Sequence, residues 1–539
     1  MQHDGERLAA RKGLSRRRFL TRIGVGAAGA ATLGPTSLVG PAGAQTDTGA
    51  SGAPSGADGT YTGSSRSFGR IFKDRPFAED SPQLQAALHE IARPGGMLDA
   101  GDDLSKGPAA LILDPELRTN NPDNPTHTAG TTFVGQFLDH DMTFDTTSAL
   151  GRPTDPRTTR NARTPTLDLD SVYGGGPVVT RELYDSADGI KLKMETGGLF
   201  EDLPRGADNV AVIGDPRNDE NLIVCGIHLA MMCFHNKVVD RLRVELPAST
   251  DAMDIFHMAR REVTWHYHWL ILHEFLPQFV GRAMVDDILA RGRRFYTTRS
   301  PYIPVEFSGA AYRFGHSMVR PSYRANRGGG GAPAFFGMVF EPTQMGSLDP
   351  DDMSGRLRAA RRFIGWETFF DFGDGEVRNN KLIDTKLSTP LFNLPAGTIS
   401  RPPGAELGPT SLAERNLLRH ITWGLPSGQQ LAQRMGAPAL APADLDDLSG
   451  FGLGLERSTP LWFYILREAE VMAGGHHLGP VGGRIVGEVI IGLLQSDGES
   501  YLAREPGWRP TLPAAAGGGD FRMVDLLRMA RVDPVGRLG

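Results

Sequence analysis

Cysteine is nearly missing from this chain, with two among 539 residues. Cys225 and Cys233 lie eight apart on what reads as one helix, about 12 Å by helical rise, which is too far for a mutual disulfide. A disulfide-stapled scaffold and a cysteine-based metal site are therefore excluded. Both thiols read as buried apolar groups. Beyond the N-terminus no apolar run is long enough to cross a bilayer, so an integral membrane protein is not expected. Sustained β-alternation, internal repeats and an Arg-Gly-Asp tripeptide are absent too. Positive charge is in deficit. Residues 1–44 hold seven Lys/Arg and two Asp/Glu, so the whole-chain net charge of −6 leaves −11 for the remainder. An acidic body repels phosphate, which argues against a nucleic-acid partner.

What is present begins with an address. Arg16-Arg17-Arg18-Phe19-Leu20 precedes a Gly/Ala-rich apolar stretch, and Ala42-Gly43-Ala44 offers a small-residue cleavage site. Residues 1–44 resemble a bacterial twin-arginine signal peptide, which implies the Tat translocase as a partner and an exported, periplasmic or extracellular product. Residues 45–67, rich in Gly, Ser, Thr and Asp, read as a flexible linker. One large domain over 68–535 follows. Its periodicity is helical at 84–91, 133–142, 221–246, 254–279, 411–422, 428–435, 458–473 and 481–495. Gly/Pro-rich breaks at 325–333, 399–409 and 514–519 read as loops. The fold class is mainly α, with few short strands and long loops.

Four segments carry chemistry. In Gly135-Gln-Phe-Leu-Asp-His-Asp141, a helix puts Gln136 and His140 on one face. An imidazole base and an amide donor can then share a cavity, while Asp139 and Asp141 point elsewhere. A solvated acidic turn has the same pattern. In 164–170, oxygen-bearing residues Thr164, Thr166, Asp168 and Asp170 alternate along the chain, as a loop around Ca²⁺ or an amphipathic edge strand would have them. In Gly214-Asp-Pro-Arg217-Asn-Asp-Glu220, Pro216 and Asp219 suit a helix start and place Arg217 and Glu220 one turn apart. Arg217 is either a charge-stabilising guanidinium or part of a solvated cap. In Tyr312-Arg-Phe-Gly-His316, an imidazole with a glycine beside it suits either a flat iron-bearing ligand or a core histidine. Asn416 is a candidate partner for its second nitrogen. His266 and His268 point about 200° apart on a helix and read as structural.

In this order, the four segments resemble the animal-type haem peroxidase superfamily, over roughly residues 68–535. Supporting matches are His235-Asn236, Glu274-Phe-Leu-Pro277 and Gly424-Leu-Pro426. The resemblance implies a single haem peroxidase domain with haem b and Ca²⁺. It implies a function that reduces hydrogen peroxide and, through a ferryl species, oxidises halide, thiocyanate or phenolic donors, with response to oxidative stress as its setting. The catalytic residues it implies are His140, Arg217 and Gln136. The implied haem-binding residues are His316 as iron ligand, Asn416 behind it, Arg313 near a propionate, and Asp139 and Glu220, through which the haem can be ester-linked. The implied calcium set is Asp141, Thr164, Thr166, Asp168 and Asp170, with Asp170 in place of the family's usual Ser. Asn221 stands where a methionine would form a sulfonium link, so none is expected.

Two other readings belong beside this one. A haem-dependent fatty-acid dioxygenase shares the fold, but places a tyrosine three residues before the proximal histidine, where this chain has Arg313. A peroxinectin-like adhesion or matrix protein keeps the fold without needing turnover.

Overall fold

The longest helix owes its start to one side chain. Asn221 accepts the otherwise unpaired N–H groups of Ile223 and Val224, which is N-capping by a residue type suited to it. The helix Leu222–Glu245 then runs until Leu246, whose successor Pro247 disfavours helical backbone before it. Its composition would let it cross a membrane, yet its most apolar stretch is 83% buried within the protein. It is a core helix.

The computed structural model describes residues 66–533, apart from 146, 198–199, 330–332, 345–346, 397–406 and 515–518. The expected signal peptide and all but the end of the expected linker lie outside these residues, as do most of the expected breaks at 399–409 and 514–519. Helices that build the core are α1 (Pro82–Ala92), α2 (Gly130–Met142), α3 (Leu222–Glu245), α4 (Ala252–Leu270), α5 (Leu412–Thr422), α6 (Leu461–Ala473), α7 (Pro480–Ser496) and α8 (Met523–Ala530). Helix α3 packs against α2, α4 and α8, and α7 packs on α6. Three two-stranded antiparallel sheets decorate this core among the described residues. One is the hairpin Ser322–Asn326 with Phe335–Met338, so the break predicted at 325–333 is partly strand.

The helix predicted over 254–279 is interrupted. After α4 comes a π turn, Ile271–Phe275, then a short helix, Leu276–Val280. Pro277 has no N–H to give the carbonyl four residues back. That carbonyl, of His273, instead accepts from Arg282 Nη2 at 2.8 Å.

Helix α2 carries an apolar face of Phe133, Val134, Phe137 and Leu138, all buried. Its first N–H groups are taken by neighbouring chain: Ala129 N donates to Arg378 O and Gly130 N to Phe369 O. A Cβ on Gly130 would come within 2.4 Å of the Phe370 ring, so only glycine lets the helix start this close. The packing fixes which polar side chains of α2 reach the interior cavity.

Candidate functional site

A cavity of about 240 Å³ lies between α2 and the 3₁₀ turn Ala311–Met318. Gln136, Asp139 and His140 enter it from α2, Glu220 from the start of α3, and Arg313 and His316 from the 3₁₀ turn. Six of the residues singled out from sequence, 180 positions apart at the extremes, thus share one space.

His140 is 5% exposed. Its Nδ1 lies 2.9 Å from Oδ1 of Asn218. With Nδ1–H donating to that oxygen, Nε2 keeps a free lone pair. Burial, reinforced by the charge of Arg217, lowers its pKa to about 4, so the ring is neutral at pH 7. His316 is its counterpart. Asn416 of α5 bonds to its Nδ1 at 2.8 Å, and burial, then the charge of Arg313, lowers its pKa to about 3.

Around His316 the cavity suits a flat, acidic, metal-bearing ligand. A Cβ on Gly315 would meet nothing within 4 Å, so space is left beside the imidazole. Arg313 donates to Ser308 O and Asn416 Oδ1 and has no ion pair among the described residues. Burial, then repulsion from Arg419, lowers its pKa to about 10. A cation in this state calls for an acid group from a ligand. Ligation of a metal through Nε2 of His316 needs the proton on Nδ1 and a carbonyl oxygen facing it. Oδ1 of Asn416 faces Arg313 Nη1 at 3.2 Å instead, so ligation would require that amide to turn over.

Arg217 is not among the residues that line the cavity. Its guanidinium donates to Asp215 at 2.7 and 3.1 Å and to the backbone oxygen of His140 at 3.0 Å. It also lies 4.2 Å over the ring of Phe144. Arg163 holds the same Asp215 at 2.8 Å. Burial would raise Asp215, but Arg217, with His140 and Arg163 behind it, outweighs that and brings it to about 2. Glu220 has no such direct partner, and burial pushes it up to about 7. The predicted helix start is corrected here. Pro216 opens a 3₁₀ turn capped by Asp215, Asn221 caps α3, and Asp219 pairs with Arg205 instead.

The acidic set forms a second centre under the same helix. Ligand oxygens of Asp141, Asp168 and Asp170 lie within 4.8 Å of one another. Burial and mutual repulsion raise the carboxyl of Asp141 well above its ordinary range, and both also raise Asp170. Segment 164–169 is an irregular loop, not the alternative edge strand. Leu169, at φ +58°, takes a left-handed conformation between the two aspartates. Thr166 Oγ1 is buried with no hydrogen-bond partner, an orphan that a cation would satisfy. Thr164 is exposed, with its Oγ1 3.4 Å from Asp170. His268, predicted to be structural, holds this loop through Leu167 O at 2.7 Å.

Reading the sequence missed Asp215, Asn218 and His228. The Asp-Pro-x pattern was a cap signal for Asp215. Nothing local marks His228, which reaches Asn218 from the second turn of α3 at 2.9 Å.

The sequence profile of the animal haem peroxidase family matches residues 145–337. That span includes Arg217, Glu220 and His316, and stops short of the 135–141 heptad and Asn416. Heme peroxidase 2 of Caenorhabditis elegans is 27% identical over 246 residues, which are 40% of this chain and 32% of that protein. Thyroid peroxidase of Homo sapiens is 25% identical over 191 residues, 31% of this chain and 20% of that protein. The chain therefore spans a third or less of these relatives. Among solved structures, peroxidase A from Dictyostelium discoideum aligns with a TM-score of 0.55 at 16% identity, over 81% of this chain and 89% of that one. A fatty acid alpha-dioxygenase from Oryza sativa aligns at 0.50 with 14% identity, over 80% and 82%. These last two likenesses are of fold. Residues 145–337 are thus similar to the animal haem peroxidase family, and the chain shares its fold with these two solved structures.

Proposed function

We propose that this chain is a haem peroxidase that reduces hydrogen peroxide and oxidises small donors such as halide, thiocyanate or phenols. One observation carries the reading. Two neutral imidazoles from distant segments, each held at Nδ1 by an asparagine, line one cavity with an unneutralised arginine.

His316 would hold the iron of haem b, with Arg313 facing an acid group of the porphyrin. Haem supplies the site where peroxide binds and the oxidising power. The rest falls to the chain. Nε2 of His140 takes the proton from one peroxide oxygen and returns it to the other, a transfer suited to a ring that is neutral at pH 7. Arg217, fixed by Asp215, adds positive charge beside that transfer. Gln136 offers an amide to a small anion or water. Asp139 and Glu220 reach the cavity as carboxylates able to form haem esters.

The orphaned oxygen of Thr166 and the three crowded carboxylates support a Ca²⁺ site completed by Thr164. Because Asp141 follows His140 on α2, the cation would fix the end of the helix that aims the imidazole. The leader and linker at 1–67 support export through the Tat route to the periplasm or beyond, with 68–535 as the working domain.

The test is an absorption spectrum of the purified protein, with and without peroxide, for the parent and two variants. The parent should show a Soret band that shifts with peroxide. His316→Ala should fail to retain haem. His140→Ala should keep haem and react with peroxide about 10²- to 10⁴-fold more slowly. A colourless parent after hemin is supplied, or an unimpaired His140→Ala, would refute the proposal.

A further inference from the structure

Two asparagines three residues apart, Asn218 and Asn221, stand against two polar residues of α2 that lie four apart on one face, Gln136 and His140. Asn218 Oδ1 meets His140 Nδ1 at 2.9 Å, and Asn221 Nδ2 meets Gln136 Oε1 at 3.0 Å. Each asparagine also has a second anchor. Asn218 Nδ2 reaches His228 Nδ1 at 2.9 Å. Asn221 Oδ1 accepts from Ile223 N and Val224 N at 3.1 and 2.8 Å.

The second anchor of Asn221 decides a polarity. Backbone N–H groups only donate, so the atom facing them is the oxygen and the atom facing Gln136 is the NH₂ group. Gln136 must answer with its own oxygen. Its Nε2, with two N–H donors, is then left for the cavity that Gln136 lines, and it has no protein partner among the described residues. At His140 the polarity rests on His228: when its bare Nδ1 accepts from Asn218 Nδ2, Oδ1 is the atom that faces His140 Nδ1. An acceptor at Nδ1 selects the tautomer whose Nε2 is bare. Asn218 is 0% exposed and His228 1%, so water does not compete for either bond.

We propose that Asn218 and Asn221 are positioning residues that set opposite polarities on the cavity wall: a proton acceptor at His140 Nε2 and an anion-facing donor at Gln136 Nε2. The inference rests on the proposed peroxidase reading for its substrate class, a small inorganic anion such as thiocyanate. Asn218 lies outside the cavity lining, and Asn221 lines it beside Gln136. Each acts by deciding which way another side chain faces.

Asn221→Asp is the discriminating variant. Aspartate caps a helix as well as asparagine does, so α3 is retained. Its carboxylate, however, can only accept, and Gln136 must turn its NH₂ group away from the cavity. Thiocyanate affinity, read by optical titration of the haem-loaded protein, should fall more than about tenfold, from the lost hydrogen bond together with repulsion by the new carboxylate. Asn221→Ser, a neutral cap too short to hold Gln136, should show the hydrogen-bond part alone, about tenfold, and an unchanged affinity in it would also overturn the inference. Haem content should be unchanged. For Asn218, [¹⁵N]histidine spectra of the reduced, carbon-monoxide-bound protein should show His140 protonated at Nδ1 in the parent. Asn218→Ala should lose that preference, and Asn218→Asp, which keeps an acceptor there, should restore it.

An unchanged thiocyanate affinity in Asn221→Asp, or a His140 tautomer indifferent to Asn218→Ala, would overturn the inference while leaving the peroxidase reading intact. A parent that takes up no haem would overturn that reading instead. The histidine spectrum of the haem-free chain would then still decide the role of Asn218.

Discussion

Replacing Asp215 by Asn tests how the structure holds Arg217. The carboxylate has no exposed side-chain surface and sits between two guanidinium groups, Arg163 at 2.8 Å and Arg217 at 2.7 Å. Its pKa is lowered to about 2 from an ordinary 3.8. A difference of that size corresponds to about 2 kcal/mol of stability at neutral pH. Removing one partner of a buried pair typically costs about 3–5 kcal/mol, because the remaining charge is stranded. Asp215→Asn strands Arg217, whereas Arg163 keeps Asp170 at 3.4 Å, so a loss between these figures, about 2–5 kcal/mol, is expected at pH 7.

The sign with pH follows from the depressed pKa. The stabilisation is complete above about 3.8 and is lost as pH falls through about 2. The linkage part of the gap between parent and variant should shrink from about 2 kcal/mol at pH 7 to about 1 kcal/mol at pH 3. Urea unfolding followed by tryptophan fluorescence at the two pH values measures it. The variant should also react more slowly with peroxide, since Arg217 loses the bonds that hold it beside His140. A variant within about 0.5 kcal/mol of the parent at pH 7, or a gap that widens on acidification, would show that this ion triad does not hold Arg217.

Two further outcomes are expected. Chelation should lower the melting temperature and added Ca²⁺ restore it, by about 2.7 kcal/mol at a hundredfold excess over Kd; Asp141→Asn should melt identically with and without Ca²⁺, and superimposable parent traces would remove the cation from the account. Glu468 is buried and accepts the N–H groups of Val481 and Gly482, and burial raises its pKa to about 7. A raised carboxyl stabilises fully below about 4.5 and loses that contribution as pH rises through 7, so Glu468→Gln should gain about 3 kcal/mol on the parent between pH 4.5 and 8. Parallel stability curves for the two proteins would contradict the raised pKa.

Much of this architecture was legible residue by residue. Apolar periodicity located α3, α5, α6 and α7 to within a few positions, because a helix repeats its buried face regardless of what covers it. Spacing alone put Gln136 and His140 on one side of α2. The acidic loop at 164–170 was visible as a string of oxygen donors. The helix read over 254–279 ran unbroken through Pro277; its missing N–H was the signal for a break, and the π turn that absorbs it left none.

What composition and period could not supply was pairing between distant segments. Asn218 looked like a loop polar residue, and His228 like one more residue on a buried helix. Each acquires meaning only when α2 and α3 are packed together, because a hydrogen bond of 2.9 Å depends on where two backbones meet and leaves no trace in local spacing. The same holds for Arg217, whose chemistry was inferred from its neighbours in the chain but whose orientation is set by Asp215 and by a carbonyl 77 residues earlier. Local rules dictated which residues could do chemistry. The packing of α2 on α3, and of the 3₁₀ turn at 311–318 beneath them, decided which atoms of those residues face the cavity, and with which proton.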